Sequence, residues 1–470
     1  MLVNVTLVLQ QMDLPHKTPV LWIHYIGELL DHKPLRCVVD QLTNGQLQWE
    51  PLDNPFDKVV LGPPENRRIY PIYSGKNRYI DELKKCFPGE EKAIDEYVRL
   101  SKKVANGVWF MVLLKLLPTP LAKFLVHTGL ANRLSPFFRY ASRSLTDVVN
   151  ELTQNKDLRA VMCYIFGTYG KMPKEASFSM HSLLLCHYLN GAWYPKGGAS
   201  EIAYHMIPII EKAGGAVLVR APVNRILLND AKEAIGVSVL KGQEEVHTMP
   251  AIQKQLSMVQ HGDAGLSVFI GVDGTKEELG LKADNYFIFP ENNLDELLEA
   301  YMKGNPTWPE RKPGKSTVTV VSFANYAWFE EWKDDKVKNR SIDYKELKQA
   351  FINNILEAVT EIFPKIKDRI EFVDAGTPIT NQHYIGAPKG EIYGADHGIP
   401  RFNVELNATI RPQTPIKNLF LTGQDVMLCG FAGALTGALT CGSVILNRNL
   451  HLDAVGLSKR VNNGNNKKKE

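Results

Sequence analysis

Asn418-Leu-Phe-Leu-Thr-Gly-Gln-Asp-Val426, continued by Gly430-Phe-Ala-Gly-Ala-Leu435, reads as an apolar strand, a glycine turn and the first turn of a helix. The strand needs a sheet to join, and the glycines fix where the chain turns. A helix N-terminus carries about half a positive charge and unpaired N–H groups, so it attracts anions. Gly430 and Gly433 remove side chains where a ligand could approach that terminus, and Asp425 can accept hydrogen bonds from sugar hydroxyls. The same pattern also suits a helix whose glycines and alanines merely let it sit close to a sheet.

Upstream residues separate these readings. Thr380-Asn-Gln-His-Tyr-Ile-Gly-Ala-Pro-Lys-Gly-Glu-Ile-Tyr-Gly-Ala-Asp-His397, then Arg401-Phe402, then Asn418 to Leu435, resemble the C-terminal third of the retinol saturases, flavoproteins related to the carotenoid isomerases and phytoene desaturases. Ile23-His-Tyr-Ile-Gly27, Phe178-Ser-Met-His181, Tyr194-Pro-Lys-Gly-Gly198 and the aromatic cluster Tyr326 to Trp332 extend the resemblance from about Ile23 onward. It implies an α/β, two-domain FAD/NAD(P)-binding fold with an inserted substrate domain of helices and antiparallel sheet. The expected organisation is a remnant of the FAD domain over 1–50 and a largely helical, membrane-facing substrate region over 51–190. A helix and β-meander of the FAD domain follow over 191–265, more substrate domain over 266–370, a C-terminal FAD-binding segment over 371–450 and a basic tail over 451–470.

The resemblance also implies chemistry. Reduced FAD adds hydride to one carbon–carbon double bond of the retinol polyene and a proton donor completes the saturation, with NAD or NADP as a possible electron source. The implied cofactor positions are Val223, Gly423, Asp425, Gly430, Gly433 and Ala434, Val223 presenting its backbone to the adenine. Tyr393, His383 and His397 are candidate proton donors, although an isolated histidine or tyrosine in a loop serves equally as a structural hydrogen bonder. Phe178, Met180, Trp193, Tyr194, Phe323, Tyr326, Trp328 and Phe329 are candidates to line an apolar tunnel or, alternatively, to form plain core. A polyene isomerase and a catalytically inactive form remain as other readings.

One element of such a fold is missing from the sequence. A dinucleotide-binding unit opens with a strand, G-x-G-x-x-G and a helix that meets the pyrophosphate. No such fingerprint occurs here, and Met1 to Leu21 contains no glycine. Two internal strands are expected to be missing as well, one around Pro250 after Thr248 and one between Gly304 and Pro306. A chain lacking several coding segments accounts for all three departures.

Composition narrows the partners. A net charge of +4 over 470 residues does not suggest a nucleic-acid surface. The six cysteines show no C-x-x-C spacing, and His181 and His187 are six apart, so no metal site is expected. Met1 to Gln10 lacks the basic leader of a secretory signal. Val108 to Leu117 is apolar but too short to span a bilayer; it reads either as a buried helix or as a monotopic segment with Trp109 and Lys115 near the headgroups. Lys467 and Lys468 resemble a dilysine retrieval signal, so a peripheral or monotopic location at the endoplasmic reticulum membrane is expected. Residues 97–190 read as mainly helical. Ser200 reads as the N-cap of a helix with Ile202, Met206, Ile209, Ile210 and Ala213 as its apolar stripe. Ala216–Val219, Val223–Leu228 and Ile235–Leu240 follow as strands, and Asp343–Phe363 as an amphipathic helix.

Overall fold

The computed structural model describes residues 25–218, 223–239, 258–295, 302–307, 314–337 and 339–467; the side chains of 224, 302–307 and 464–467 stay outside that description. Its strands in chain order are β1 (Trp49–Pro51), β2 (Asp57–Leu61), β3 (Arg68–Ile72), β4 (Trp193–Pro195), β5 (Val223–Leu228), β6 (Ala234–Val239), β7 (Gly265–Asp273), β8 (Asn285–Phe289), β9 (Met302–Thr307), β10 (Lys315–Phe323) and β11 (Ile370–Gly376). Seven of them form one sheet in the order β11-β7-β10-β9-β8-β2-β3. The ladder is antiparallel throughout except between β2 and β8, which run parallel. β7 alternates buried Leu266, Val268, Ile270 and Val272 with less buried neighbours, the period-two pattern of a strand covered mainly on one face. That face packs against the helix Ile342–Ile362 through Ile352, Ile355 and Val359.

At the other end of the sheet, Val59, Leu61, Phe287 and Phe289 enter a second, larger core shared with the helices between residues 76 and 188. Phe166 stacks on Phe289, and Tyr164 meets Phe287 edge-on. β9 fills the place between β8 and β10, so the residues on both sides of the gap expected at Gly304 and Pro306 themselves supply a strand. The gap around Pro250 falls outside the described residues, as do the first 24.

Three local expectations change. Ser200 is the first residue of its helix (Ser200–Lys212), not its cap; Ala199 stands at the N-cap without a side-chain hydrogen bond. None of that helix's residues is buried, although its stripe is apolar. The three strands expected after it reduce to the hairpin β5–β6, residues 216–218 having no ladder to join. The hairpin is tied to the downstream chain by Ala234 N–H to the Lys417 carbonyl at 2.9 Å and by the Lys417–Glu233 ion pair at 2.6 Å. Leu218 and Ile235 stay 65% exposed, because no described element covers this side. β1 and β4 pair as a separate two-stranded ladder, adjacent to the turn that starts at Tyr25.

Candidate functional site

The glycine turn takes an unusual route to its helix. Leu419–Leu421 is not a ladder strand; one bridge, Gln413 to Phe420, is all the pairing it makes, since the described residues offer it no parallel neighbour. A single turn at Gln424–Val426 then leads into the helix Gly430–Leu446. A Cβ on Gly433 would lie 1.7 Å from the Leu428 carbonyl oxygen, so this glycine lets the helix cross its own entering loop. Gly430 has φ +72°, and its N–H donates to the Gln424 side-chain oxygen at 3.0 Å. Asp425 is exposed; its carboxylate accepts from the Ala395 N–H at 3.1 Å, and its carbonyl accepts from Arg401 Nη2 at 2.5 Å.

Gly430 and Gly433 form part of the wall of a cavity of about 610 Å³, within the size range of small-molecule sites. Gly423, Asp425 and Ala434 sit on the same turn and helix but outside that wall. Val223 is farther off, at the half-exposed end of the hairpin. The other walls come from the Tyr25–Glu28 turn, Lys33 and the helix Pro34–Leu42, the helix Phe178–Tyr188, the helix Val108–Leu116 and the start of the helix Leu450–Lys467. Trp109 lines the cavity while remaining 52% exposed, which places it at the mouth, where His451 meets it edge-on.

Tyr393 stands in the wall between this cavity and a second space of about 20 Å³, large enough for one water. His397 lines that smaller space, its ring 6.2 Å from that of Tyr393. Burial raises the Tyr393 hydroxyl pKa far above its ordinary value, so the phenol keeps its proton. Burial, then the Arg401 charge, pushes His397 down to about 3, so its ring is neutral at pH 7. Neither His397 nitrogen has a hydrogen-bond partner of good geometry, although the Ala395 backbone lies near enough to oppose part of the shift. His383 is exposed on the helix Pro378–Ile385 and lines neither space, so the structure groups Tyr393 with His397 and leaves His383 apart.

The aromatic set divides in the same way. Met180 lines the large cavity and Phe323 the small one, whereas Phe178 and Phe329 are core. Trp328 stacks on Phe351 of the helix behind the sheet.

Lys115 corrects the interfacial expectation most directly. Its ammonium is fully buried and donates to the carbonyls of Asn407 at 2.8 Å and Ile410 at 2.5 Å, at the C-terminal end of the helix Val404–Thr409. The negative end of that helix holds the charge, not a headgroup. Arg401 was notable in the sequence only as part of a motif; it is buried, with Nε and Nη1 unpaired, and burial lowers its pKa to about 10 while Asp425 works against the shift. A cation between Pro400 and Phe402 is the sole sequence signal of that position.

The turn, the cavity and the buried cation beside them suit the ribityl and ring end of a flavin. The described residues contain no glycine-rich loop for a pyrophosphate, and no group of three side chains placed to hold a metal.

No protein-family model matches the chain. It is 78% identical to the all-trans-retinol 13,14-reductase of Danio rerio over 492 aligned positions, covering 95% of this chain and 81% of that one. It is 42% identical to the protein of the same name from Macaca fascicularis, covering 93% and 79%. The first alignment is longer than the 470 residues of this chain, so the Danio rerio relative has residues inside the matched span with no counterpart here, as internal gaps require. Among solved structures, a putrescine oxidase bound to putrescine superposes with a TM-score of 0.53 at 15% identity, covering 91% of this chain and 88% of that one. That likeness carries the fold alone, the α/β architecture expected from the motifs.

Proposed function

This chain belongs to the all-trans-retinol 13,14-reductase family, and we propose that its cavity holds all-trans-retinol for saturation of the 13,14 double bond to 13,14-dihydroretinol. The observation that carries the reading is one continuous cavity with the glycine turn on one wall and an apolar helix, with half-exposed Trp109, at its mouth.

FAD bound at the turn from Gly423 to Thr436 would supply hydride in its reduced form. Arg401 lies behind the turn as a fixed positive charge. The residues of the chain do the rest. The apolar walls exclude water from the polyene, and Tyr393 holds a proton at the cavity surface, where it can pass to the second carbon of the double bond. A water held in the small space beside His397 would return a proton to Tyr393. A reduced nicotinamide nucleotide, NADH or NADPH, is the electron source we propose.

Membrane attachment is part of the proposal. Trp109, Leu113, Leu121, Phe124 and Leu134 are exposed on three consecutive short helices beginning at Val108, and a lipid substrate would enter at the same edge. No single helix among the described residues is long and apolar enough to cross a bilayer, so the attachment proposed is peripheral or monotopic, at the endoplasmic reticulum. The retrieval signal proposed at Lys467 and Lys468 falls on side chains outside the description. Membrane attachment is expected to fall at least about fivefold in vesicle flotation when Leu113 and Phe124 are both changed to Asp; unchanged flotation would remove this face from the reading.

The mass of the product tests the chemistry. Retinol supplied with reduced flavin should yield a species heavier by two hydrogens. A product of unchanged mass but altered retention would instead make the protein an isomerase, the reading that the 78% identity to a reductase disfavours.

A further inference from the structure

The segment Tyr25-Ile-Gly-Glu28 has no part in the chemistry above, yet it forms one wall of the cavity. Glu28 has φ +56°, a left-handed conformation that side-chain-bearing residues adopt at a cost and that persists where the surroundings enforce it. The surroundings here are the helix Phe178–Tyr188. A Cβ on Gly27 would sit 2.3 Å from the His187 carbonyl oxygen, so only glycine lets the turn lie this close to that helix. The Gly27 N–H donates to His187 Nε2 at 2.7 Å. A backbone N–H cannot become an acceptor, so the proton of the neutral imidazole sits on Nδ1. Nδ1 faces the Glu28 carboxylate at 3.7 Å, and Asn190 Nδ2 donates to the other carboxylate oxygen at 3.2 Å.

Glu28 is therefore a carboxylate with a fixed position. Burial favours its neutral form, but the His187 imidazole and the Lys33 charge outweigh that, so its pKa lies below the ordinary value and it is ionised at neutral pH. An ionised carboxylate only accepts, with about four lone-pair sites, and the Asn190 hydrogen bond together with the more distant His187 Nδ1–H leaves acceptor capacity toward the cavity. Of the other polar groups in the wall, Gln424 Oε1 is engaged by the Gly430 N–H and His451 Nε2 by Thr440, whereas Lys33 adds a positive charge that acts on Glu28.

We propose that Glu28, positioned by His187 and Asn190, accepts a hydrogen bond from the hydroxyl of the retinoid and makes the cavity select the alcohol over the carboxylic acid. This inference rests on the retinoid reading above. An alcohol donates to the carboxylate, an aldehyde has no proton to give, and a retinoate anion is repelled. The hydroxyl of retinol is borne by the carbon next to the 13,14 bond, so the group that grips it also decides which double bond lies against the glycine turn. Glu28 would thus set both substrate class and the position of reduction.

Equilibrium binding of three ligands to the 470-residue chain and to Glu28→Gln, read by quenching of protein fluorescence, tests this. The ligands are all-trans-retinol, all-trans-retinoic acid and the hydrocarbon that lacks the hydroxyl. Glu28→Gln should weaken retinol about tenfold, tighten retinoic acid about tenfold and leave the hydrocarbon within about twofold. Equal loss for retinol and hydrocarbon would show that Glu28 only shapes the wall, and unchanged retinol affinity would show that it does not touch the hydroxyl; either overturns the proposal and leaves the retinoid reading standing. Failure of the unaltered chain to bind any of the three would instead overturn that reading, and the proposal with it.

Discussion

Lys115 shows how a single side chain couples distant parts of this chain. Its ammonium joins the helix Val108–Leu116 to carbonyls nearly three hundred residues away, and its pKa is well below the ordinary lysine value through burial first and the Arg401 and Arg411 charges next. Lys115→Ala leaves two buried carbonyls without their donor and should cost about 3 kcal/mol in denaturant unfolding; a loss under about 1 kcal/mol would mean that water replaces the ammonium. Buried histidines give a second prediction. His181 and His397 are held down to about 3, and His451 to about 4, by burial, against about 6.5 when unfolded. Below about pH 6.5 the unfolded chain takes up protons that the folded chain refuses, so these groups make stability fall as pH drops. Asp57, raised to about 7 by burial, works in the opposite direction, as do Asp263 and Asp284. The three histidines prevail, so unfolding takes up protons at pH 5 and stability rises with pH between 5 and 6. Stability that is flat or falls between pH 5 and 6 would contradict the balance.

Among the elements, the helices differ in what their glycines permit. Gly433→Ala places a methyl against the Leu428 carbonyl and should destabilise by more than about 3 kcal/mol, whereas Gly456, in the helix Leu450–Lys467, has open space around its Cβ direction. Gly456→Ala should stabilise by about 0.5–1 kcal/mol in thermal unfolding; similar outcomes at both positions would refute the crossing of helix and loop. This contrast marks the limit of what periodicity reveals. The helix Ile342–Ile362 was legible within a residue at each end from Leu347, Phe351, Ile355 and Val359, and the hairpin β5–β6 from its Asn229-Asp230 turn, because both are local patterns. Leu419–Leu421 reads as a strand but finds only a single bridge among the described residues, and a strand exists only by pairing. Lys115 in an apolar run looks interfacial, since hydrophobic spacing does not distinguish a lipid-facing side from a core-facing one. The pairing of Glu28 with His187 spans about 160 residues and left no sequence signal beyond a short motif.

At the scale of the molecule, the described residues place a cavity suited to an apolar ligand beside the glycine turn proposed for the ring end of a flavin. The sequence has no G-x-G-x-x-G, and a pyrophosphate without such a loop forgoes several charge-assisted hydrogen bonds worth roughly 1.5–3 kcal/mol each, every 1.4 kcal/mol being tenfold in affinity. The 470-residue chain should therefore purify nearly colourless; stoichiometric yellow absorbance would show that other residues hold the pyrophosphate. The central claim, that the retinoid lies between the glycine turn and the Val108–Leu116 helix, does not depend on that occupancy. Photo-crosslinking with an all-trans-retinol analogue bearing a diazirine on its ring tests it most directly, with the labelled peptides identified by mass spectrometry. Labels within residues 105–112, 180–188 and 424–439, displaced by excess retinol, are the predicted result. Displaceable labels confined to the sheet strands β7 and β10, or to the hairpin β5–β6, would contradict it.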